Sequence, residues 1–290
     1  MNLQNKEGWF YVMPLLFWLA FAICVPLYIA VELSFFDIKI IGTEGKFVGL
    51  KNYIKSLKSS KFPKALSNSA LWVIANAITQ TFFAFLIALT LNKNFKGVKI
   101  ATNWIILSFI IPTVVIVVIW KLMLSSSSGI INSLLIQFSI IEKPIGFFSN
   151  STSAFVSLVL INSWRWSPFL ALIILSGLKS INQEIYDASK IDGTSFFSEF
   201  IYITLPQLKG VLFVLGLVGT LLSFNVFDII WLITKGGPSN ATTTLPLLIY
   251  ETAFTKFRIS QAAALSVITS LILLTFSIIF IKVMGKDNDD

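Results

Sequence analysis

Six long apolar runs constrain this chain more than any other feature. Each has about 20 or more residues, the length that an α-helix needs to cross the hydrocarbon core of a bilayer. The sequence therefore predicts an all-α polytopic membrane protein, a single domain of 290 residues with six transmembrane helices and both termini on one side. The predicted spans cover residues 9–31, 67–91, 104–124, 154–176, 211–234 and 262–284. Four prolines lie within them, where neighbouring helices can satisfy the freed carbonyls: Pro14, Pro26, Pro112 and Pro168.

Composition excludes several classes of chemistry. The chain has no histidine and one cysteine, so a histidine-based catalytic triad, a His/Cys metal site and an internal disulfide are ruled out. It also lacks the Gly-x-x-x-x-Gly-Lys-Ser/Thr loop that binds nucleotide phosphates. The net charge of +8 is typical of lysines that flank membrane spans, and it does not indicate nucleic acid. We therefore expect a protein that is not an enzyme and holds no metal or cofactor.

The stretch between the fourth and fifth apolar runs, residues 178–206, mixes polar and apolar residues. Ser180 and Gln183 have the spacing of a capping box, and Gly193 follows at the point where a short helix should end. Apolar residues at steps of four and three predict one stripe on that helix: Ile181, Ile185, Ala188 and Ile191. A second amphipathic helix is predicted before Pro206 from Phe196, Phe197, Phe200 and Ile201. Two apolar ridges on a loop outside the membrane are typical of a segment that docks into another protein.

Polar residues inside the fourth and fifth runs form a second group of candidates. Arg165 shares its run with Asn162, Trp166 and Phe169, and all lie near one helical face. Asn225 and Asp228 are three residues apart in the fifth run. Aromatic faces can stack on sugar rings while amide and charged groups pair with hydroxyls, so this set suits a polyhydroxylated ligand. Two alternatives stay open: an interhelical Arg165–Asp228 pair with a purely structural role, and a proton or ion relay.

The charges of the loops do not settle the orientation. If the termini are cytoplasmic, the external loops carry more lysine and arginine than the internal ones, because the first loop is lysine-rich. The short loop with Lys93, Lys96 and Lys99 is the better marker of the inside. A surface helix is expected in the first loop at about residues 50–57.

One stretch resembles a known family motif. Asp187-Ala188-Ser189 is followed by Gly193 and, nine residues later, by Ile203-Thr-Leu205-Pro206. This spacing is similar to the EAA loop, Glu-Ala-Ala-x3-Gly-x9-Ile-x-Leu-Pro, in permease subunits of binding-protein-dependent ABC importers. Asp replaces Glu at 187 and Ser replaces Ala at 189. Segments 47–53, 164–169 and 232–238 resemble the MalF-like, multiple-sugar branch of carbohydrate permeases, so the resemblance covers nearly the whole chain.

The resemblance implies a type I ABC importer permease fold with cytoplasmic termini, in the plasma (inner) membrane of a prokaryote. It implies one half of a sugar path formed with a second permease, an extracytoplasmic sugar-binding protein, and two ABC ATPase subunits that bind the ATP and Mg²⁺. Residues 178–206 would be the cytoplasmic loop that couples to an ATPase. The residues expected to take part in coupling are Glu184, Asp187, Ala188, Ser189, Asp192, Gly193, Ile203, Leu205 and Pro206.

The same resemblance implies that the stretches matching Asn162–Phe169 and Phe224–Asn225 line the sugar path. With the charged residues found within the runs, the candidates are Asn162, Arg165, Trp166, Phe169, Phe224, Asn225 and Asp228. Arg165 departs from the family pattern, so its role is left open. Two further functions are kept as alternatives: import of glycerol phosphate or another polyol derivative, and a secondary transporter that works alone. A secondary transporter would give no reason for the docking loop.

Overall fold

The computed structural model describes residues 3–38, 45–93 and 95–284. The chain divides into two compact units, Met1–Pro63 with Leu248–Leu274 and Lys64–Leu247 with Thr275–Asp290, and each is described by itself. Both chain ends and residues 39–44 of the predicted first loop lie outside the described residues.

The helices are α1 Leu3–Phe35, α2 Lys51–Leu57, α3 Lys61–Leu91, α4 Val98–Ile110, α5 Thr113–Met123, α6 Ile130–Gln137, α7 Ser151–Ser180, α8 Gln183–Ile191, α9 Phe196–Glu199, α10 Leu205–Gln207, α11 Lys209–Phe224, α12 Asp228–Thr234, α13 Leu245–Tyr250 and α14 Ile259–Met284. Phe200–Thr204 and Glu251–Thr255 are π-helical, and strands β1 Phe36–Asp37 and β2 Lys46–Phe47 form an antiparallel pair.

The all-α prediction is confirmed among these residues. Four of the six predicted runs each form one long helix, namely α1, α3, α7 and α14, and each is long and apolar enough to cross a membrane. The number of crossing segments rises to six only if each of two bent helix pairs counts as one span. The second pair, Phe196–Gln207 with Lys209–Phe224, differs from the predicted fifth run 211–234, because it includes part of the predicted coupling loop and ends before α12.

The third predicted run differs from a single helix because it bends sharply. Helices α4 and α5 meet at an angle of 96°. Pro112 cannot donate a backbone hydrogen bond, and it disfavours the helical conformation of Ile111, which is extended at φ −61° and ψ 130°. A proline that the sequence suggested as a tolerated kink is therefore a corner between two helices.

The first unit fixes the short helix α2 against the end of α1. The side-chain amide of Asn52 donates to the carbonyls of Ser34 (2.9 Å) and Phe36 (2.8 Å). Next to strand β1, the Ser260 hydroxyl accepts the N–H of Ile38 (2.9 Å) and donates to the carbonyl of Ile38 (3.2 Å). The surface helix expected in the first loop is present, and polar side chains hold it in place.

The second unit has two apolar clusters, and each supports one candidate site. In the first, Trp72, Leu158 and Ile230 are buried together, so helix α12 packs against α5 and α7. In the second, Ile174, Leu178 and Leu208 are buried where α7 ends and α11 begins. This second cluster fixes both ends of residues 178–206, the segment predicted to couple to an ATPase.

Candidate functional site

Helix α8 begins two residues later than the predicted capping box at Ser180 required, so that prediction is wrong. The residue that caps α8 is Asn182, whose Oδ1 accepts the backbone N–H of Glu184 at 3.1 Å. Ser180 still belongs to α7, where its hydroxyl donates to the carbonyl of Gly177 at 2.7 Å. Glu184, a predicted coupling residue, thus lies in the first turn of α8, where an acidic side chain is stabilised by the helix dipole.

The end of α8 depends on Gly193, as the sequence predicted. Gly193 has φ +70°, a conformation that side chains with a Cβ rarely adopt. Its N–H donates to the carbonyl of Lys190 (3.1 Å), and both the N–H and the hydroxyl of Thr194 donate to the carbonyl of Ser189 (3.1 and 2.8 Å). These bonds satisfy the last carbonyls of the helix after Asp192, its C-terminal cap.

A buried polar contact joins α8 to the second helical segment of the loop. Ser189 is only 3% exposed, and its hydroxyl lies 3.0 Å from Glu199 Oε2 and 2.9 Å from the carbonyl of Tyr186. The hydroxyls of Tyr186 and Thr204 are 3.2 Å apart. Position 189 therefore needs a small side chain because it faces the second segment. Glu199, Tyr186 and Thr204 were missed as positioning residues, since their partners are distant in sequence.

Asp187 lies on the open side of α8. Its carboxylate pairs with Lys190 Nζ at 3.1 Å, and Gln183 Nε2 donates to it at 3.4 Å. The hydrogen bonds from Lys190 and then Gln183 lower the pKa of Asp187 below its ordinary value. The carboxylate thus stays charged at neutral pH on an exposed face.

Four large apolar side chains of this loop are mostly exposed. Their exposures are 87% for Ile191, 66% for Phe196, 70% for Phe197 and 78% for Tyr202. We call these four residues the docking ridge. Of the predicted coupling residues, Ala188 and Pro206 are also exposed, while Ile203 and Leu205 are half-buried. Exposed apolar groups in such a cluster indicate a surface that contacts either another protein or the membrane.

The predicted stripe on α8 is divided between two environments. Ile181 packs against the buried cluster that contains Leu178, whereas Ile191 at the other end faces outward. Ile185 and Ala188 lie between them and are exposed. The stripe therefore both anchors the loop and forms part of its open surface.

The fifth predicted run is broken at residues 225–227, between α11 and α12. The side-chain amide of Asn225 donates to the carbonyl of Leu221 (2.8 Å), and Asp228 Oδ1 accepts the N–H of Ile229 (2.9 Å). Both polar side chains thus satisfy backbone groups at the break. Unwound backbone within an apolar run is typical of substrate sites in membrane transporters.

Arg165 on α7 pairs with Asp228 at the start of α12. The distance from Arg165 Nη1 to Asp228 Oδ2 is 3.4 Å, and the two side chains are 15% and 47% exposed. Arg165 Nε is buried without a hydrogen-bond partner, and its guanidinium lies 5.5 Å from the ring centre of Trp166. The interhelical pair considered as the structural alternative is therefore present, and half of the carboxylate surface is still open.

Three aromatic rings lie beside this pair. Phe109 stacks on Phe169 with a centroid distance of 5.0 Å and meets the edge of Trp166 at 5.3 Å. Trp166 and Phe169 are half-buried predicted path residues, and Asn225 is exposed. Phe109 comes from α4, so helical periodicity within the fourth run could not reveal it. The only available signal was its position three residues before Pro112.

Two other predicted path residues lie in the interior. Asn162 is 1% exposed, and its amide donates to Asn76 Oδ1 at 2.7 Å. Gln80 donates to the same oxygen at 2.9 Å, which forms a buried amide network. Phe224 is 8% exposed at the end of α11. Asn162 and Phe224 are therefore buried side chains that do not line an open surface.

No cluster of three or more His, Cys, Asp or Glu side chains that could hold a metal occurs in the part of the chain that the structure describes. An apolar cavity of about 630 Å³ lies among α3, α4 and α7, and Trp104, Ser108 and Trp164 are in its wall. None of the predicted path residues lines this cavity.

The amino-acid sequence is similar to those of known transport permeases. The chain is similar to the trehalose/maltose transport system permease protein MalF of Thermococcus litoralis, with 32% identity over 97% of this chain and 94% of that protein. It is also similar to the lactose transport system permease protein LacF of Rhizobium radiobacter, with 27% identity over 96% and 93%. The predicted resemblance to MalF-like carbohydrate permeases is thus confirmed.

Solved structures agree on the fold. A chain of a bacterial ABC transporter involved in the import of the acidic polysaccharide alginate superposes with a TM-score of 0.82 at 19% identity, covering 97% of this chain and 96% of the other. A family model described as the binding-protein-dependent transport system inner membrane component matches residues 80–285. This range includes the candidate coupling loop, residues 178–206, and all candidate path residues from Asn162 to Asp228. The chain is therefore a multi-pass membrane protein that belongs to the family of binding-protein-dependent transport system inner membrane components.

Proposed function

We propose that this chain is one of two permease subunits of an ATP-driven sugar importer in a prokaryotic inner membrane. The observation that carries the proposal is the docking ridge, which exposes four large apolar side chains on a loop whose two ends are fixed in a buried cluster. A transporter that worked alone would have no use for such a surface. The relatives are named for trehalose, maltose and lactose, so a sugar is favoured over glycerol phosphate or another polyol derivative.

The docking ridge supports the proposal that cytoplasmic ATPase subunits bind this chain and drive transport. We infer that α8 and the segment after it dock into a groove of one ATPase subunit and transmit its movement to α7 and α11. The ATPases bind ATP and Mg²⁺ and carry out hydrolysis, while this chain needs no cofactor. This orientation puts residues 178–206 and both termini in the cytoplasm, and it puts the first loop on the side of the sugar-binding protein.

The broken helix supports a sugar path through the second unit. Asn225 and the open half of the Asp228 carboxylate offer polar groups within an apolar run, and the aromatic group around Phe169 lies close to Arg165. Hydroxyls of a sugar can pair with such polar groups while its ring stacks on an aromatic face. The Arg165–Asp228 pair leaves no net charge, which suits a neutral sugar.

Replacing Phe197 by aspartate should weaken binding of the ATPase subunits roughly tenfold or more, because a central aromatic side chain of an interface often dominates its affinity. The measurement is the amount of ATPase that co-purifies with the permease. Phe254→Asp is the matched control, since Phe254 is also an exposed phenylalanine, at 65% against 70% for Phe197, but lies on the opposite side in the proposed orientation. Equal loss of ATPase in both variants would argue against the docking ridge.

Replacing Asn225 by alanine should lower sugar uptake about tenfold, since one hydrogen bond to the sugar and the bond to the Leu221 carbonyl are lost. The importer is reconstituted with candidate binding proteins, and ATP hydrolysis and uptake are measured with maltose, trehalose and lactose. ATPase co-purification should be unchanged, which separates the path from docking. Normal uptake at normal apparent affinity would place Asn225 among the packing residues. If no sugar stimulates ATP hydrolysis in the wild type, the proposed cargo is wrong.

A further inference from the structure

The first unit contains a small cavity that is surrounded by positive charge. Its volume is about 60 Å³, and it lies among α2, the start of α3, the segment that follows α13 and the first turn of α14. Lys61, Lys256 and Arg258 line it, and no acidic side chain lies in its wall among the described residues. We call it the cationic cavity.

The cations around the cationic cavity have one acidic partner among the described residues. Glu251 is the nearby acid, and its Oε2 lies 3.8 Å from Nζ of both Lys61 and Lys256. One carboxylate therefore serves two lysines, while Arg258 makes no ion pair with any described residue. Burial, followed by the positive charge of Lys61, lowers the pKa of Lys256 below its ordinary value. Among the described residues, three cationic side chains therefore surround the cavity and one nearby carboxylate pairs with two of them, an arrangement that a bound anion stabilises.

Uncharged donors also point to a ligand. Ser56 is 1% exposed and lines the cavity, yet its hydroxyl has no hydrogen-bond partner. The side-chain amide of Gln261 lines the cavity too, with a buried oxygen that lacks a partner, and a half-turn of this amide presents its NH₂ group instead. Because burying an unpaired polar group costs free energy, the Ser56 hydroxyl favours an occupant that accepts hydrogen bonds, and so does the Gln261 amide in its flipped orientation.

The position of the cavity indicates which anion would fill it. In the first unit α3 begins at Lys61 and α14 begins at Ile259, so two long apolar helices begin at the cavity. The ends of such helices lie at the level of the lipid headgroups. The positive end of the α14 dipole also favours an anion there.

Helix α2 has the surface of a helix that lies in the membrane interface. Its outward residues Leu50, Ile54 and Leu57 are 50–60% exposed, and lysines at positions 51, 55 and 58 follow on the adjoining face. A short helix with an apolar and a basic face is typical of contact with anionic lipid. A second cavity of about 650 Å³ has Lys55 and Asp37 in its wall and shares Lys256, Arg258 and Gln261 with the cationic cavity, so a headgroup has room above it.

We propose that the cationic cavity binds a phosphate group, supplied either by the headgroup of an anionic lipid or by free phosphate. Lys61, Lys256 and Arg258 neutralise its charge, and the Ser56 hydroxyl donates a hydrogen bond to it. The site goes beyond the proposed sugar transport, and only its assignment to the extracytoplasmic leaflet rests on the proposed orientation. The site also explains why the first loop is rich in lysine, which the positive-inside rule does not explain.

The first test measures lipid binding to the purified importer complex. The complex is delipidated in detergent and titrated with phosphatidylglycerol or phosphatidylcholine, and bound lipid is counted by native mass spectrometry. Phosphatidylglycerol should bind preferentially, and Arg258→Gln should weaken its binding about fivefold, the effect of one cation near an anionic headgroup. Lys143→Gln is the control, because Lys143 is an exposed lysine that lies outside α2 and lines neither cavity.

The second test separates the two sources of phosphate. Thermal unfolding of the lipid-free complex is followed in inorganic phosphate and in chloride at equal ionic strength. A rise in midpoint with phosphate that Arg258→Gln removes supports free phosphate, whereas preferential lipid binding without that rise supports the headgroup. Ser56→Ala, which removes only the buried hydroxyl, should weaken whichever ligand binds, even if Arg258→Gln folds poorly. Equal binding by wild type and both variants in the two tests would overturn the site, whatever sugar the importer carries.

Discussion

Replacing Gly193 by proline is expected to lower ATP-driven uptake roughly a hundredfold while the permease still inserts and assembles. Gly193 has φ +70° and donates its N–H to the carbonyl of Lys190. Proline is fixed near φ −65° and has no N–H, so the turn loses both its conformation and its hydrogen bond, at a cost of about 3 kcal/mol. Because the turn joins α8 to the segment that carries Phe196 and Phe197, the two parts of the docking ridge should no longer move together.

The measurement compares sugar uptake with ATP hydrolysis in proteoliposomes that contain the complete importer. Hydrolysis should continue at its basal rate in Gly193→Pro but lose its dependence on the binding protein. Gly193→Asn is the matched control, because asparagine tolerates positive φ and no heavy atom lies within 4 Å of the added Cβ. Asparagine should therefore retain most of the uptake. Full uptake by the proline variant would show that this turn does not transmit the movement of the ATPase.

The coupling loop illustrates what local sequence patterns can and cannot provide. The end of α8 at Gly193 was predictable, since a positive φ after a helix favours glycine. The start was not, because both Ser180 and Asn182 can cap a helix and only the length of α7 decides between them. Periodicity also identified an apolar stripe without distinguishing Ile181, which packs inside the protein, from Ile191, which is left for a partner.

The path residues show the same limit across longer distances. The sequence identified Arg165 and Asp228 because charges within apolar runs are rare, and the structure brings them into contact. It did not show that Asn162 would be buried by Asn76, or that Phe109 would stack on Phe169. Those contacts depend on how α3, α4 and α7 pack, which hydropathy alone does not specify.

Removing only one partner of the Arg165–Asp228 pair is expected to destabilise the permease strongly. In Asp228→Ala, Arg165 would retain a charge that is 15% exposed within an apolar bundle, and its Nε already lacks a partner. An unpaired arginine in such a position costs about 2.5 kcal/mol. The fraction of folded protein that survives heating in detergent should fall accordingly. Trp120→Phe is the control variant, since it changes another side chain of the second unit but keeps an aromatic ring against Trp164. Its folded fraction after heating should stay close to that of the wild type.

A double variant separates the structural role of the pair from a role in transport. Arg165→Met with Asp228→Ala removes both charges, so no unpaired charge is left and most of the lost stability should return. Uptake should not return with it, because the open half of the Asp228 carboxylate and the neighbouring Asn225 are the polar groups at the break between α11 and α12. Recovery of both stability and uptake would instead mean that the pair serves only to hold α7 against α12. The sugar would then have to be recognised by the aromatic rings and Asn225 without help from the charged pair.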